Sequence, residues 1–193
     1  MQRSDLNMGS FKENFEKKII PQLKEELGLK NNLAVPRLEK IVLNAGVGRI
    51  SRDKNLMEKT AQGLALIAGQ KPIVTKAKRA ISAFKIRQGM PIGYKVTLRR
   101  KRMYDFVEKI IKVVLPRIRD FAGIDPNSID QQGNLTLGFS ESSVFPEISK
   151  KMPDFIFGLE VTLVSTTRDR KKALSLFKAL GLPFKRQLSA KRK

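Results

Sequence analysis

The chemistry open to this chain depends on the side chains it lacks and on where its cations lie. Its 193 residues include no His and no Cys. This removes the usual zinc ligands, the thiol nucleophile and the side chain that titrates near neutral pH. Between Glu58 and Asp105, by contrast, twelve Lys and Arg occur without a single acidic residue. Positive charge gathered in one segment is typical of proteins that bind a polyanion, so we infer binding to a nucleic-acid phosphate backbone.

The rest of the chain has a different charge balance. The net charge is +21, of which residues 105–184 contribute +1 and residues 185–193 contribute +5. Apolar residues make up 41% of the composition, and the chain is long enough to bury a core. We predict one domain at 1–184 and a basic C-terminal tail at 185–193. No signal-peptide pattern or membrane-length apolar run is visible, which together with the missing thiols favours the cytoplasm.

A helix is predicted to run to Pro116, with apolar residues at 106, 107, 110, 111 and 114. Three other stretches also show the signals of amphipathic helices. The first has apolar residues at every fourth position between 11 and 27, and Pro21 should kink or divide it. The second follows Asp53, a favourable N-terminal cap, and ends before Gly69. In the third, near the C-terminus, Thr166 and Asp169 have the spacing of a capping box.

Strands are predicted where apolar and polar residues alternate or where β-branched residues cluster. These stretches are 36–44, 72–75, 94–99, 135–139 and 159–163. Helices and strands do not alternate in regular βαβ units. We therefore predict an α+β fold, mostly an antiparallel sheet with helices packed on one face, plus a long basic loop at about 76–93. Gly89, Pro91 and Gly93 should prevent regular structure near the end of that loop.

The basic loop offers ligands for phosphate. Its cations are spaced so that several can face one groove, and each can neutralise a phosphate and release counterions. We predict contacts to tRNA or rRNA phosphates from Lys76, Lys78, Arg79, Lys85, Arg87 and Gly89. The alternative is a merely solvated loop, although such loops usually mix both signs of charge.

Phe84 lies among these cations, between Ala83 and Lys85. An exposed aromatic ring at this position could stack on an unpaired base. It could equally pack with Ile81 and Ile86 into a small core of the loop itself. The residue types alone favour neither interpretation.

The strand after the loop presents a polar face. Lys95, Thr97 and Arg99 occur at alternate positions, so their side chains share one side of the strand. Lys and Arg can bind phosphate there, while a hydroxyl can meet a 2′-OH or a base edge. An ordinary solvent-facing strand would show the same pattern.

Two further basic clusters lie outside the loop, one at 100–102 and one at 185–186. Arg100, Lys101 and Arg102 lie where a helix should begin, and because the helix dipole disfavours cations there, we expect rRNA phosphate to compensate. Lys185 and Arg186 open the tail, which is either an extended arm between RNA helices or a disordered electrostatic tether.

Four long motifs follow one another along most of the chain. They are VPRLEKIVLNAGVG at 35–48, GQKPIVTKAKR at 69–79, FKIRQGMPIGYKVTLR at 84–99 and LPRIRDF at 115–121. Together they resemble the bacterial-type large-subunit ribosomal protein number five family, the 5S-rRNA-binding proteins of the central protuberance. The resemblance runs from about residue 11 to 184. It implies a structural, non-catalytic constituent of the large ribosomal subunit, with no cofactor, no metal and no small-molecule substrate.

The resemblance also implies particular contacts. It assigns Asn44, Gln70, Phe84 and Thr97 to the 5S rRNA contact, although the residues alone suggest that Asn44 and Gln70 bond their own backbone beside turns. The basic loop should reach P-site tRNA. Other implied partners are large-subunit rRNA and neighbouring ribosomal proteins, including a small-subunit head protein at an intersubunit bridge. The implied location is a cytoplasmic ribosome, with an organellar ribosome as the open alternative.

The chain departs from the family pattern at two places. Where the family usually has Arg-Gly-Glu-Arg, this chain has Arg at 99, 100 and 102 and Lys at 101, which is more basic. Where the family usually has Asp-Gly-Arg-Gly-Asn, residues 130–134 carry Gln131 and Gln132. Any contact made by the family's arginine at the second place is therefore not expected here.

Three other classes of protein fit the sequence less well. An architectural DNA-binding protein would be favoured by a homeodomain or helix-turn-helix pattern, and neither is visible. An enzyme that modifies or cleaves RNA would need metal-binding carboxylates near the basic window, which has none. A peripheral membrane protein would place its cations along one amphipathic helix and not in a loop broken by Gly and Pro.

Overall fold

One five-stranded antiparallel sheet organises the protein. The computed structural model describes residues 11–48 and 53–185. In chain order its strands are β1 (Leu38–Gly46), β2 (Ile73–Lys76), β3 (Pro91–Leu98), β4 (Leu135–Phe139) and β5 (Leu159–Ser165). The spatial order is β2-β3-β1-β5-β4, and every neighbouring pair is antiparallel. The predicted α+β class with an antiparallel sheet is confirmed.

Helices connect the strands. They are α1 (Phe11–Asn14), α2 (Ile20–Glu26), α3 (Lys54–Ala68), α4 (Arg100–Lys109), α5 (Pro146–Lys151) and α6 (Arg170–Ala179). A π-helical turn at Phe15–Ile19 joins α1 to α2, and Pro21 lies in the first turn of α2. The predicted interruption of the N-terminal helix near Pro21 is therefore confirmed. Proline fits there because it needs no N–H partner in a first turn.

Helix caps show one prediction confirmed and one wrong. Asp53 caps α3, accepting hydrogen bonds from the backbone N–H of Asn55 at 2.9 Å and Leu56 at 3.2 Å. The capping box at α6 does not form. Asp169 alone caps that helix. The Thr166 hydroxyl instead accepts a hydrogen bond from the backbone N–H of Arg37, just before β1, at 3.0 Å. Thr166 follows the end of β5, so it completes the pairing with β1 instead of starting the helix.

The core lies between the sheet and the helices. Alternate strand residues such as Ile41, Leu43 and Leu163 are fully buried, as are Leu64 of α3 and Phe177 of α6. The residues between them on each strand project from the opposite side of the sheet. Apart from Gly93, that side is half-buried or exposed in the described residues, so the helices cover one face, as predicted. We call the uncovered side the open face.

The π-helical turn that follows α1 packs against α4. The rings of Phe15 and Tyr104 lie 5.5 Å apart between centroids. Burial raises the pKa of Tyr104, and the nearby Glu16 carboxylate raises it further. The phenol therefore stays neutral well into the alkaline range, as a buried hydroxyl should.

The segment predicted as an irregular basic loop is mostly a hairpin. β2 extends through Lys76 and β3 begins at Pro91, so the connection spans only 77–90. Pro91 and Gly93 lie within β3, and the prediction that they prevent regular structure is wrong. Gly93 is needed because a Cβ there would lie 2.7 Å from the Thr75 hydroxyl and 3.1 Å from the Ala45 carbonyl oxygen. Glycine thus permits close strand pairing instead of breaking the strand.

Candidate nucleic-acid interface

The open face carries two rows of mostly polar residues, here called the polar rows, across four of the five strands; on β2, the exposed Ile73 pairs with Lys95. They follow from the register, in which residues of β3, β1, β5 and β4 lie side by side. The first row is Lys95, Asn44, Glu160 and Gly138; the second is Thr97, Val42, Thr162 and Thr136. Adjacent strands are about 4.8 Å apart, so each row forms a continuous band of groups able to meet one ligand. Folded RNA offers ribose hydroxyls and base edges at comparable spacing.

Asn44 is held by a neighbour and not by its own backbone. Its Nδ2 donates a hydrogen bond to Glu160 Oε2 at 3.4 Å. The sequence interpretation, a local backbone contact beside a turn, is therefore wrong for Asn44. Strand pairing is the reason, because it places Glu160 directly opposite. With the amide hydrogens turned toward Glu160, Oδ1 is left to accept a hydrogen bond.

The threonines of the second row differ in their partners. The hydroxyls of Thr136 and Thr162 lie 3.2 Å apart and bond each other. Thr97, also half-buried, makes no side-chain hydrogen bond with any described residue. The Thr97 hydroxyl is thus available to a ligand, although the assigned RNA contact itself stays a prediction.

The basic hairpin (77–90) extends from the ends of β2 and β3. Its stem is closed by paired backbone bonds between Ile81 and Ile86, at 2.9 and 3.1 Å, and by Ala77 N–H to Met90 O at 2.8 Å. Gly89 adopts a φ of 80° and donates its N–H to the Ala77 carbonyl oxygen. Gly89 therefore shapes the turn, and the assigned phosphate contact stays a prediction.

The cations of this region have no acidic partners. Every one of them is exposed, and none makes an ion pair or side-chain hydrogen bond with a described residue. They are Lys76, Lys78, Arg79, Lys85 and Arg87. Unpaired exposed cations on a short hairpin repel one another, and phosphate would relieve that repulsion.

Phe84 points away from the hairpin stem. Its side chain is 73% exposed, so the alternative in which it forms a small core with Ile81 and Ile86 is wrong. It lines a groove of about 980 Å³ at the end of the sheet, where β1 ends at Gly46 and Gly158 precedes β5. Ile156, which is 56% exposed, lines the same groove. An aromatic ring and an aliphatic side chain in one groove suit the flat face of a base, and Asp154, which also lines the groove, places a carboxylate there.

The start of α4 carries the second cationic cluster. The structure confirms that Arg100, Lys101 and Arg102 open the helix, with Arg99 just before it. Arg99 Nη1 lies 3.7 Å from Glu39 Oε1. Arg102 Nη1 donates to Gln70 Oε1 at 3.3 Å, so Gln70 also bonds another side chain and not its own backbone.

Arg100 adopts an unusual backbone conformation. Its φ is 53°, in the left-handed region that costs most residues about 1–2 kcal/mol. The resemblance described above implies Gly at this place in the family, and Gly would adopt the same φ without cost. The chain therefore holds a cation where its backbone would be more stable with glycine.

The structure describes only the first residue of the tail. Lys185 is exposed, and its backbone N–H donates to the Ile124 carbonyl oxygen at 2.9 Å. This bond fixes where the tail leaves the domain. Arg186 lies outside the described residues, so its predicted rRNA contact stays a prediction.

One strand joins almost all of the predicted contact residues. At one end of β3 is the basic hairpin, in its middle are Lys95 and Thr97, and at its other end are Arg99 and the start of α4. Asn44 lies beside Lys95 on β1. The structure thus brings together residues 44, 70, 76–89 and 95–102, and it places Lys185 apart, beside Ile124.

Sequence reasoning missed the contribution of the second half of the chain. Glu160, Thr162 and Thr136 belong to the same polar rows, and Ile156 lines the groove. The alternation of apolar residues along β5 indicates that Glu160 and Thr162 share a face. It does not reveal strand register, however, and register is what puts them beside Asn44 and Val42.

Comparisons with known proteins match nearly the whole described chain to one family. The family model described as Ribosomal protein L5 matches residues 31–87, and the model of the C-terminus of the same ribosomal family matches residues 91–184. The chain belongs to the ribosomal protein L5 family. It is a structural, non-enzymatic constituent of the large ribosomal subunit that binds rRNA and other ribosomal proteins and takes part in translation.

Individual relatives cover nearly the full length of both chains. The large ribosomal subunit protein uL5 of Kosmotoga olearia is 51% identical over 175 residues, covering 91% of this chain and 96% of the relative. The uL5 of Desulforapulum autotrophicum is 50% identical over 178 residues, covering 92% and 99%. That of Thermotoga maritima is 51% identical over 175 residues, covering 91% and 95%. Among the described residues, no helix is both long and apolar enough to span a membrane.

Proposed function

We propose that this chain binds 5S rRNA in the central protuberance of the large subunit through its open face and Phe84, and P-site tRNA through the cations of its basic hairpin. The observation that carries the proposal is the layout of β3. This strand connects the hairpin, the pair Lys95 and Thr97, and the basic start of α4 in one unbroken path. Eight residues of strand span about 26 Å, enough to contact several consecutive nucleotides.

The two parts of this surface suit different tasks. The open face supplies an amide, hydroxyls and one Lys in fixed register, a composition suited to base edges and ribose hydroxyls. The basic hairpin supplies cations without partners, a composition suited to phosphates of any sequence. We assign 5S rRNA to the open face together with Phe84 and Gln70, and P-site tRNA, an exchangeable ligand, to the hairpin.

Further contacts complete the proposal. The cluster Arg100, Lys101 and Arg102 is assigned to large-subunit rRNA, because cations at a helix start need an anionic partner. Lys185 and Arg186 are assigned to rRNA on charge alone. Membership of the family supports a small-subunit head protein as the partner at an intersubunit bridge.

Binding measurements test the assignment to 5S rRNA. The full-length protein is titrated with a bacterial 5S rRNA transcript, a structured RNA of equal length but unrelated sequence, and duplex DNA. We expect the 5S transcript to bind at least about tenfold more tightly than either competitor at near-physiological salt, with a steep dependence on salt. Equal affinity for all three would contradict the proposal.

Ribosome reconstitution tests the assignment to tRNA. Large subunits are assembled with wild-type protein or with a variant in which Lys78 and Arg79 are changed to Gln. We expect 5S rRNA to be retained in both, and P-site tRNA to dissociate faster from the variant. Unchanged dissociation would show that the hairpin does not bind P-site tRNA. It would not affect the assignment of the open face to 5S rRNA.

A further inference from the structure

A carboxylate lies within the surface assigned to RNA. Glu160 is exposed on β5, and of the eight residues in the two polar rows it alone is acidic. It makes no ion pair with any described residue. A free carboxylate repels phosphate, so its presence argues that this part of the open face contacts something other than the RNA backbone.

The surroundings of Glu160 leave it open to a ligand. Asn44 Nδ2 bonds Oε2, and Oε1 has no hydrogen-bond partner among the described residues. On the other side, Gly138 of β4 has no side chain, and a Cβ added there would meet nothing within 4 Å. The carboxylate is thus oriented by one neighbour and uncovered on the side of the other.

The groove lined by Phe84 begins beside this row. Gly158, which also lines it, precedes Glu160 by two residues, and Gly46 follows Asn44 by two residues. Two residues of strand span about 6.8 Å, so the groove and the carboxylate lie within reach of one nucleotide. The exposed side chains of Phe84 and Ile156 supply apolar surface to the groove. Asp154 also lines it, so Asp154→Asn is added to the test as a variant that should bind 5S rRNA like wild type if Glu160 is the carboxylate that reads the base.

Resting on the proposed binding of RNA by this surface, we propose that the groove holds an unpaired guanine, stacked on Phe84 and read by Glu160. Of the four RNA bases, guanine alone presents two adjacent N–H donors, N1–H and the N2 amino group, on its pairing edge. A carboxylate accepts both. Adenine and cytosine present one amino donor beside an acceptor nitrogen, and uracil presents one donor between two carbonyls, so each would face a carboxylate with a repulsive acceptor.

Glu160 would therefore act as a specificity-determining residue. It contributes nothing to phosphate binding and opposes it, so its loss should not weaken binding to RNA in general. Its effect should be confined to an RNA that delivers guanine to the groove. This separates it from Lys95, whose removal should weaken binding to every RNA.

The test combines a protein change with a base change. Full-length wild type and Glu160→Gln are titrated with a bacterial 5S rRNA transcript, and with transcripts in which each unpaired guanine in turn is replaced by inosine, which lacks the N2 amino group. We expect Glu160→Gln to bind the unmodified transcript about tenfold more weakly, the factor that one charge-assisted hydrogen bond supplies. One inosine should weaken wild type by a similar factor and leave the variant unaffected.

Two controls separate the loss of this carboxylate from a general change in charge or stability. Glu25→Gln removes one exposed carboxylate from α2. Glu25 pairs with no described cation, so its loss should leave 5S rRNA binding unchanged. An unrelated structured RNA should bind Glu160→Gln as tightly as wild type or about twofold more tightly, because a repulsive charge is gone. Thermal unfolding of Glu160→Gln should match wild type, since the side chain is exposed, and Glu160→Ala provides a second variant.

The outcomes separate the guanine site from the general proposal. If wild type prefers 5S rRNA while Glu160→Gln and Glu160→Ala bind it equally well, the guanine site is wrong and the 5S assignment stands. If every inosine affects wild type and variant alike, Glu160 does not read the N2 amino group, and the inference is overturned. If wild type shows no preference for 5S rRNA, the proposed function itself fails.

Discussion

The open face and the basic hairpin are built on the same strands but hold their polar groups in opposite ways. On the open face, Asn44 bonds Glu160 and Thr136 bonds Thr162, so the side chains are oriented before any ligand arrives. On the hairpin and the adjoining end of β2, the five exposed cations have no partner among the described residues. One surface has fixed geometry and little net charge; the other has high charge and side chains free to adjust.

Two surfaces of this kind allow one small protein to make two kinds of RNA contact. Oriented groups discriminate, because an ill-fitting ligand leaves them unpaired. Unpaired cations attract any phosphate and do so in proportion to charge, which makes binding fast and sensitive to salt. A permanent partner suits the first surface and an exchanging partner suits the second.

Removing charge from the basic hairpin should have the largest effect. We expect the quadruple change of Lys78, Arg79, Lys85 and Arg87 to Gln to lower the slope of log affinity for tRNA against log salt by about 3, because each lost phosphate contact accounts for roughly 0.7–0.9 of that slope. Affinity for tRNA at low salt should fall by about a hundredfold or more. Fluorescence titrations at several salt concentrations measure both quantities.

A matched variant controls for net charge. The same number of exposed cations can be changed to Gln on α5 and α6, at Lys150, Lys151, Lys171 and Lys178. These helices lie away from the open face, so we expect a slope close to that of wild type. Equal losses in the two variants would show that total charge, and not the hairpin, governs binding.

Phe84→Ala should have the next largest effect, of a different kind. Loss of a stacked ring should weaken 5S rRNA binding by about 1–3 kcal/mol, or roughly 5- to 150-fold, without changing the salt slope. Leu33→Ala, which truncates a side chain that is 80% exposed elsewhere, should leave affinity unchanged. An altered salt slope in Phe84→Ala would mean that the ring positions cations instead of stacking.

The two surfaces also differ in how far the sequence predicts them. The cations of the hairpin are visible in the sequence, since a window without acidic residues needs no structure to be recognised. The partners on the open face are not: Asn44 and Glu160 are 116 residues apart in the chain, and only strand register joins them. The prediction that Pro91 and Gly93 break regular structure is wrong because propensities are local, whereas the close approach of Thr75 that requires Gly93 is tertiary.

Thr97→Val and Thr162→Val test whether the hydroxyls of the open face have different roles. The Thr97 hydroxyl has no partner among the described residues, so we expect RNA affinity to fall by about 0.5–1.5 kcal/mol with no loss of folding stability. Thr162→Val instead breaks the bond to Thr136, so the free energy of unfolding should fall by about 1 kcal/mol while RNA binding changes less. Titration and urea unfolding of both variants distinguish the two roles. If the two variants have the same RNA affinity and the same free energy of unfolding, Thr97 is an ordinary surface residue.

The smallest effect concerns backbone strain, which occurs in both regions. Lys85 of the hairpin and Arg100 at the end of the open face each have a φ of 53°, and Asp120, outside both regions, has a φ of 52°. Changing any of them to Gly removes the strain of the left-handed conformation, but it also makes the unfolded chain more flexible. We expect a net gain of about 0.5 kcal/mol in the free energy of unfolding for each, measured by urea unfolding.

RNA binding should separate these three variants. Lys85→Gly and Arg100→Gly each lose one cation, so the salt slope should fall by about 0.7–0.9 while stability rises. Asp120→Gly should gain the same stability and keep the slope of wild type. A lower slope in Lys85→Gly but not in Arg100→Gly would confine phosphate binding to the hairpin and remove the start of α4 from the interface. A lower slope in both would mean that the chain retains strained cations where glycine would fold better, because the bound phosphate compensates for the strain.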